Sequence, residues 1–235
     1  MFQANFIHKV FSKVAGKYDL MNDVMSLNLH KVWKRQFCDL VTKLDARILD
    51  SAAGSGDIAF ELYNRAKKAN LTPNLVLSDV NASMLALAKD RAVNSNILHN
   101  IDFVEADATQ MPWSDQEFDY YTISFGIRNV PDIQKALNES YRLLKPGGKF
   151  LCLEFSKPTA AVIRHLYGWY LDKVIPKLGG AIAQDEQSYQ YLVDSIKAFP
   201  DQNIFISMMQ RAGFKMCYFK NLSFSIASIY IGYKD

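Results

Sequence analysis

From about residue 46 the chain alternates short apolar, β-branched or aromatic runs with amphipathic stretches of helical length, and no other feature limits its fold so tightly. Strands joined by a helix-length crossover pair in parallel, so the pattern requires βαβ units and an α/β class of fold. Residues 47–50, 75–79, 101–105, 118–124 and 149–155 read as five such strands. Between the last two, Ile133, Ala136, Leu137, Tyr141 and Leu144 recur on one helical face, with Asp132 as the N-cap and KPGG (145–148) as the stop. Asn81 is the expected cap of the helix that carries Met84, Leu85 and Ala88. Residues 159–198 read as helical with interruptions at Pro176 and the glycine pair 179–180, and Pro200 and Asp201 open a further helix through Ala212 that Gly213 closes. Segments 214–220 and 225–233 have no helix-length insert between them and must pair as an antiparallel hairpin. The expected fold is therefore a seven-stranded, mostly parallel sheet in a single domain. Residues 1–45 are expected to form a helical lid, 46–158 a ligand-binding core, 159–200 a helical insert on the substrate side, and 201–235 the terminal helix and hairpin.

Charge and cysteine usage narrow the function. The 27 Lys+Arg against 24 Asp+Glu leave a formal charge of +3 over 235 residues, with no basic stripe to displace counterions from phosphates, so nucleic-acid binding is not expected. A chain of this length with 49% apolar residues can bury a core without disulfides or structural metal. Cys38, Cys152 and Cys217 are odd in number and lack a CxxC, which points to a reducing compartment. His8, His30, His99 and His165 show no metal-ligand or triad spacing. No stretch reaches the ~18 apolar residues of a membrane span, and the apolar run near the amino terminus is too short for a signal peptide. The sequence predicts a soluble, cytoplasmic protein that can still touch a membrane surface from its inner face.

The first strand ends in ILDSAAGSGDIAF (48–60), where Gly54 and Gly56 permit a tight turn and close backbone approach to a ligand at a helix N-terminus. Gly54, Gly56 and Ala59 also match dinucleotide spacing, with Asp79 where a ribose-binding acid would stand. Charge separates the two cofactor readings. A dinucleotide brings a doubly negative pyrophosphate, whereas S-adenosylmethionine brings a sulfonium and an ammonium against one carboxylate. Asp50, Asp57, Asp79 and Asp107 lie at the carboxyl ends of the first three strands or just beyond, with no Lys or Arg in those loops. A unit charge ~4 Å away is worth up to ~4 kcal/mol at an effective dielectric near 20, so the acids favour the sulfonium cofactor. Asp57 is expected to weigh most, since it crowds the amides a phosphate needs. Asp79 would accept the ribose hydroxyls, Asp107 and Ala108 would border the adenine, and the loop from Asp50 to Asp57 would hold the methionine portion.

Three segments carry a family resemblance: VFSKVAGKYDLMNDVMSLNLHKVWKR (10–35), TISFGIRNVPDIQKAL (122–137) and YRLLKPGGKFLCLEFSKP (141–158). They closely resemble the ubiquinone/menaquinone C-methyltransferase family, and SYQYLVDSIKAFPDQ (188–202) and MMQRAGF (208–214) extend the likeness over almost the whole chain. The resemblance implies a Rossmann-like methyltransferase fold and methyl transfer from S-adenosylmethionine to a ring carbon of a polyprenylated benzoquinol or naphthoquinol. It implies cofactor contacts at Ser55, Asp79, Asp107 with Ala108, and Ser124. It also implies, as partners, the quinol, the membrane surface, other enzymes of quinone biosynthesis and a second copy of the chain. The family usually has Gly-Gly-Thr-Gly-Asp where residues 53–57 stand and Asn-Ala at Asp107 and Ala108. The strand at 225–233 lacks a His-Arg pair often found before its final glycine.

An aromatic carbon becomes nucleophilic when the neighbouring phenol loses its proton. Arg128 in FGIRNV, just past the fourth strand, is placed to stabilise phenolate charge and to orient a water that takes the proton, with Asn129 as a hydrogen-bonding partner. Arginine stays protonated and is no direct base. Tyr18, Asp19 and Asn22 are weaker candidates for closing the site from the lid. The Tyr- and Trp-rich stretch 165–191 suits a prenyl groove or a membrane interface, whereas Tyr189, Leu192, Val193 and Ile196 at helical spacing suit ordinary core. The competing functions are methylation of another small aromatic substrate, a dinucleotide oxidoreductase, and a non-catalytic nucleotide-binding module.

Overall fold

A computed structural model of the chain describes Asp23, Ser26 and residues 28–97, 99–178 and 186–235. Most of the lid, with His8, Tyr18, Asp19 and Asn22, and the glycine pair 179–180 lie outside the described residues. Helix α1 (His30–Cys38) precedes β1 (Arg47–Ser51), α2 (Asp57–Lys68), β2 (Asn74–Asp79), α3 (Ala82–Asn94), β3 (Ile101–Glu105) and β4 (Phe118–Ser124). A short 3-10 turn (Ile127–Asn129), α4 (Ile133–Leu143) and β5 (Leu144–Phe155) follow. The helical stretch after β5 comprises α5 (Ala161–Trp169), a π turn (Tyr170–Val174), α6 (Ile175–Leu178) and α7 (Glu186–Ala198). The chain finishes with α8 (Gln202–Arg211), β6 (Lys215–Leu222) and β7 (Ala227–Tyr233).

The seven strands form one sheet in the order β3-β2-β1-β4-β5-β7-β6. The first five run parallel, and β7 pairs antiparallel with both β5 and β6. Successive residues of a strand face opposite sides, and this sheet is covered on both. Ile48, Leu75, Leu77, Leu151, Leu153 and Ile229 join α1, α2 and α7 in one core, while Leu49, Val76, Tyr121, Phe150 and Tyr230 join α4 and α8 in the other. Tyr189, Leu192, Val193 and Ile196 are all buried in the first core. These four residues are packing.

The expected caps form. Asn81 accepts the amides of Ser83 and Met84, Asp132 that of Lys135, and Asp201 that of Ile204. Two expectations need correction. KPGG is no simple helix stop, because β5 already begins at Leu144 and residues 145–148 bulge between the pairs Phe118–Leu144 and Tyr120–Lys149. Gly147, at φ 76°, donates its amide to the Lys234 carbonyl at 2.8 Å, and Lys234 returns a bond to Gly148 at 3.0 Å, so the far end of the chain fixes the bulge. Pro176 does not interrupt the helix either. It sits inside α6 directly after the π turn, where the widened turn accommodates a residue that has no amide proton and crowds the preceding carbonyls.

Candidate active site

The strand order reverses between β1 and β4, and open α/β sheets bind ligands in the crevice at that point, outside the carboxyl ends of the strands. Both strand ends here carry backbone that L-residues seldom adopt: Ala52 after β1 has φ 48° and Phe125 after β4 has φ 55°. Such conformations cost ~1–3 kcal/mol each and persist where surrounding structure imposes them. Gly126 lets the two loops meet, since a Cβ there would stand 2.5 Å from the Ala52 Cβ. Gly54 and Gly56 have φ 56° and 87°, whereas Ala53 is outside the left-handed region. The family's glycine at position 53 is therefore replaceable without strain.

Asp79 is fixed at the end of β2 by two amides, accepting from Gly54 and from Asn81 at 2.9 Å each. The Ala106 amide donates to the Asp79 carbonyl at 3.1 Å, which draws the loop carrying Asp107 and Ala108 alongside. Ala108 is buried, and the exposed Asp107 accepts the Thr109 amide at 2.8 Å. Lys34, Asp50, Ala53, Ser55, Asp57 and Ser124 line a pocket of about 20 Å³ at the crevice, room for roughly one water. Asp50 is 2% exposed. Its Oδ1 accepts the Thr122 hydroxyl at 2.8 Å, while Oδ2 and the buried Ser124 hydroxyl have no partner. Burial pushes the Asp50 carboxyl up to about 7, against the opposing pull of Thr122, Lys34 and the Ala59 amide.

Asp57 overturns part of the charge argument. Burial opposes its ionisation, yet Lys34 and Arg91 hold its carboxyl at about 2. Lys34 Nζ reaches Oδ2 at 2.6 Å and Arg91 Nη1 reaches Oδ1 at 2.8 Å. The loops themselves contain no base, but α1 and α3 bring two to the same place, so Asp57 is no free anion. Lys34 is aimed there because its neighbour Trp33 is buried, with Nε1 donating to Ser223 Oγ at 2.9 Å and the ring 6.3 Å from Phe125. Arg91 also donates to the Ser55 carbonyl at 2.8 Å and lies over Phe60.

Arg128, read from the sequence as the cation that stabilises phenolate charge, is held in a buried ion pair. Its side chain is 2% exposed and its Nη1 lies 2.7 Å from Oε1 of Glu154, itself fully buried. Nη1 also donates to the Phe125 carbonyl at 2.6 Å, Nε donates to Ser195 Oγ at 3.3 Å, and Phe155 stacks on the guanidinium. Burial pushes the Glu154 carboxyl up, although Arg128 pulls it down. Asn129 accepts the Tyr191 hydroxyl at 2.9 Å. The structure thus brings Asp50, Ser55 and Ser124 together, ties Gly54 to Asp79, and sets Arg128 and Asn129 apart in a second cluster with Glu154 and Tyr191. The sequence reading missed Lys34, Arg91 and Glu154. Their presence in the matched segments HKVWKR and LEFSKP is the one signal that could have raised Lys34 and Glu154.

Gly54 and Gly56 give the crevice a tight turn, Asp79 is a fixed acid at the end of β2, and two buried polar atoms have no partner. Two curated relatives called ubiquinone/menaquinone biosynthesis C-methyltransferase UbiE are close: that of Rickettsia prowazekii is 49% identical over 97% of this chain and 92% of its own, and that of Rickettsia bellii is 48% identical over 98% and 93%. A methyltransferase structure from Thermotoga maritima shares the fold at TM-score 0.65 and 17% identity, covering 97% of this chain and 99% of that one. A phosphoethanolamine N-methyltransferase from Haemonchus contortus, solved with S-adenosyl-L-methionine, covers 82% of this chain and 49% of its own at TM-score 0.59 and 16% identity. A family model matches residues 2–234, and with the relatives' near-complete coverage it establishes that this chain belongs to the ubiE/COQ5 methyltransferase family.

Proposed function

We infer that this chain is an S-adenosylmethionine-dependent C-methyltransferase of ubiquinone and menaquinone biosynthesis, acting on a ring carbon of a polyprenylated quinol. The observation that carries the reading is the crevice between β1 and β4, where the buried Asp50 oxygen and the Ser124 hydroxyl have no hydrogen-bond partner beside the tight turn of Gly54 and Gly56. Bound there, S-adenosylmethionine supplies an electrophilic methyl group. Gly54, Ser55 and Gly56 give the turn that approaches it, Asp79 accepts the ribose hydroxyls, Asp107 and Ala108 border the adenine, and Asp50 and Ser124 face the amino-acid end. Arg128 and Asn129 act on the quinol. The described bonds of Arg128 run through Nε and Nη1, so its Nη2 edge is the donor we assign to the phenolate oxygen, with Glu154 fixing the guanidinium plane. Holding both reactants at attack distance removes a further ~7–11 kcal/mol of barrier.

The test is transfer of a labelled methyl group to a quinol one methyl short. Label on a ring carbon is expected, and its absence from any quinol overturns the reading. Arg128→Lys keeps the charge but not the planar fork, so turnover should fall far more than affinity for S-adenosylhomocysteine; equal losses contradict the assignment.

Membrane contact is assigned to α5. Val162, Leu166 and Trp169 stand at i, i+4 and i+7 and are 70%, 58% and 57% exposed, an apolar stripe flanked by Arg164 and Lys173, which line an open cleft along the helix. Apolar side chains with tryptophan and basic neighbours suit an anionic bilayer surface. Among the described residues no helix is long and apolar enough to cross a membrane. Flotation with phosphatidylglycerol vesicles should lose the protein when Leu166 and Trp169 are both replaced by Glu; unchanged flotation contradicts it.

A further inference from the structure

Asp57 holds more positive charge than it needs. Lys34 on one oxygen and Arg91 on the other leave this trio with one surplus positive charge, although Arg91 alone would satisfy a carboxylate. Lys34 also lines the pocket that Asp50 and Ser124 face, and its side chain is 12% exposed. The lining thus combines an ammonium with a buried carboxylate oxygen that has no hydrogen-bond partner. Two opposite charges flanking one small pocket complement a zwitterion.

We propose that Lys34 receives the α-carboxylate of the cofactor's amino-acid end while Asp50 receives its α-ammonium. This deepens the cofactor reading above and rests on it. With Lys34 laid against Asp57 the pocket holds only about 20 Å³, so the incoming carboxylate draws Nζ from Asp57, which Arg91 continues to pair. The flexible four-carbon stem of lysine permits that exchange. Ionic hydrogen bonds of this kind are worth a tenfold affinity change or more. Lys34 thereby couples the cofactor to α1, the element that leads into the amino-terminal segment.

Calorimetric titration of the full chain with three ligands tests the assignment: S-adenosylhomocysteine, decarboxylated S-adenosylmethionine and 5′-methylthioadenosine, which lacks the amino-acid end. The unaltered chain should prefer S-adenosylhomocysteine to the decarboxylated ligand by tenfold or more. Lys34→Gln should abolish that preference and leave 5′-methylthioadenosine binding within twofold. Lys34→Arg should retain most of it. Absence of the preference in the unaltered chain overturns the proposal, whether or not the variants fold. So does an equal loss for all three ligands in Lys34→Gln, which would mark a structural role. Failure of the unaltered chain to bind any of the three sinks the cofactor reading itself, and the Lys34 assignment with it.

Discussion

Asp50 and Glu154 are both buried carboxylates at the carboxyl ends of parallel strands, and both are pushed up by burial. They differ in their partners. Glu154 has a cation at 2.7 Å and its own following amide, that of Phe155, at 2.8 Å. Asp50 has the Thr122 hydroxyl on one oxygen and no close hydrogen bond on the other, with only the pull of Lys34 and of the Ala59 amide on its carboxylate. A buried carboxylate with its counter-ion in place is part of the scaffold, and its removal leaves the partner stranded. A buried carboxylate lacking one costs folding energy that a ligand can recover. The contrast separates a pocket prepared for a positively charged guest from a cluster that holds its neighbours rigid.

The largest expected effect probes that contrast directly. Glu154→Ala leaves Arg128 buried and uncompensated and should destabilise the fold by about 3–5 kcal/mol in urea unfolding. Asp50→Asn replaces a carboxyl that burial keeps largely protonated below about pH 7 and should cost far less, or stabilise. Equal losses would erase the distinction between the two sites.

A smaller effect, about 1–3 kcal/mol, is expected for Gly126→Ala, because the new Cβ meets that of Ala52 at 2.5 Å. Ala52→Gly should relieve the left-handed strain and gain about 1 kcal/mol alone. In the double variant it should rescue most of the Gly126→Ala loss. Simple additivity in thermal unfolding would show that the two loops do not press on each other.

The third expectation is a pH dependence. The folded Asp50 carboxyl, at about 7, keeps a proton that the unfolded chain has already released above the ordinary carboxylate range. Its contribution to stability therefore falls as pH rises from about 4 to about 7. Ligand binding runs the other way, since an ammonium favours the ionised form that faces Lys34 and Asp57. Affinity for S-adenosylhomocysteine should drop about tenfold from pH 8 to pH 6, and Asp50→Asn should flatten the profile. A flat profile in the unaltered chain would remove Asp50 from the binding site.

Much of the fold could be read in advance because its signals are local. The strand runs, the caps at Asn81, Asp132 and Asp201 and the terminal hairpin all depend on residues within a few positions of one another. The pairings that define the site are not local. Lys34 and Asp57 are 23 positions apart, Arg128 and Glu154 are 26, and each meets its partner only after the sheet is assembled. A tally of charges in the loops therefore made Asp57 an open anion, and the position of Arg128 after the fourth strand gave no sign of Glu154, when tertiary packing pairs both residues. Asp50 was identifiable by position, at the end of β1 before the glycine turn. That one of its oxygens stands alone could be seen only once Thr122 and Ser124 were placed beside it. The KPGG bulge escaped for the same reason, since its partner Lys234 lies at the opposite end of the chain.

The most direct measurement is a crystal structure of the full chain with S-adenosylhomocysteine. The ligand nitrogen is predicted to lie about 2.7–3.2 Å from Asp50 Oδ2, with the Arg128–Glu154 pair undisturbed. A ligand seated elsewhere, or an Asp50 oxygen still alone beside it, would contradict the account.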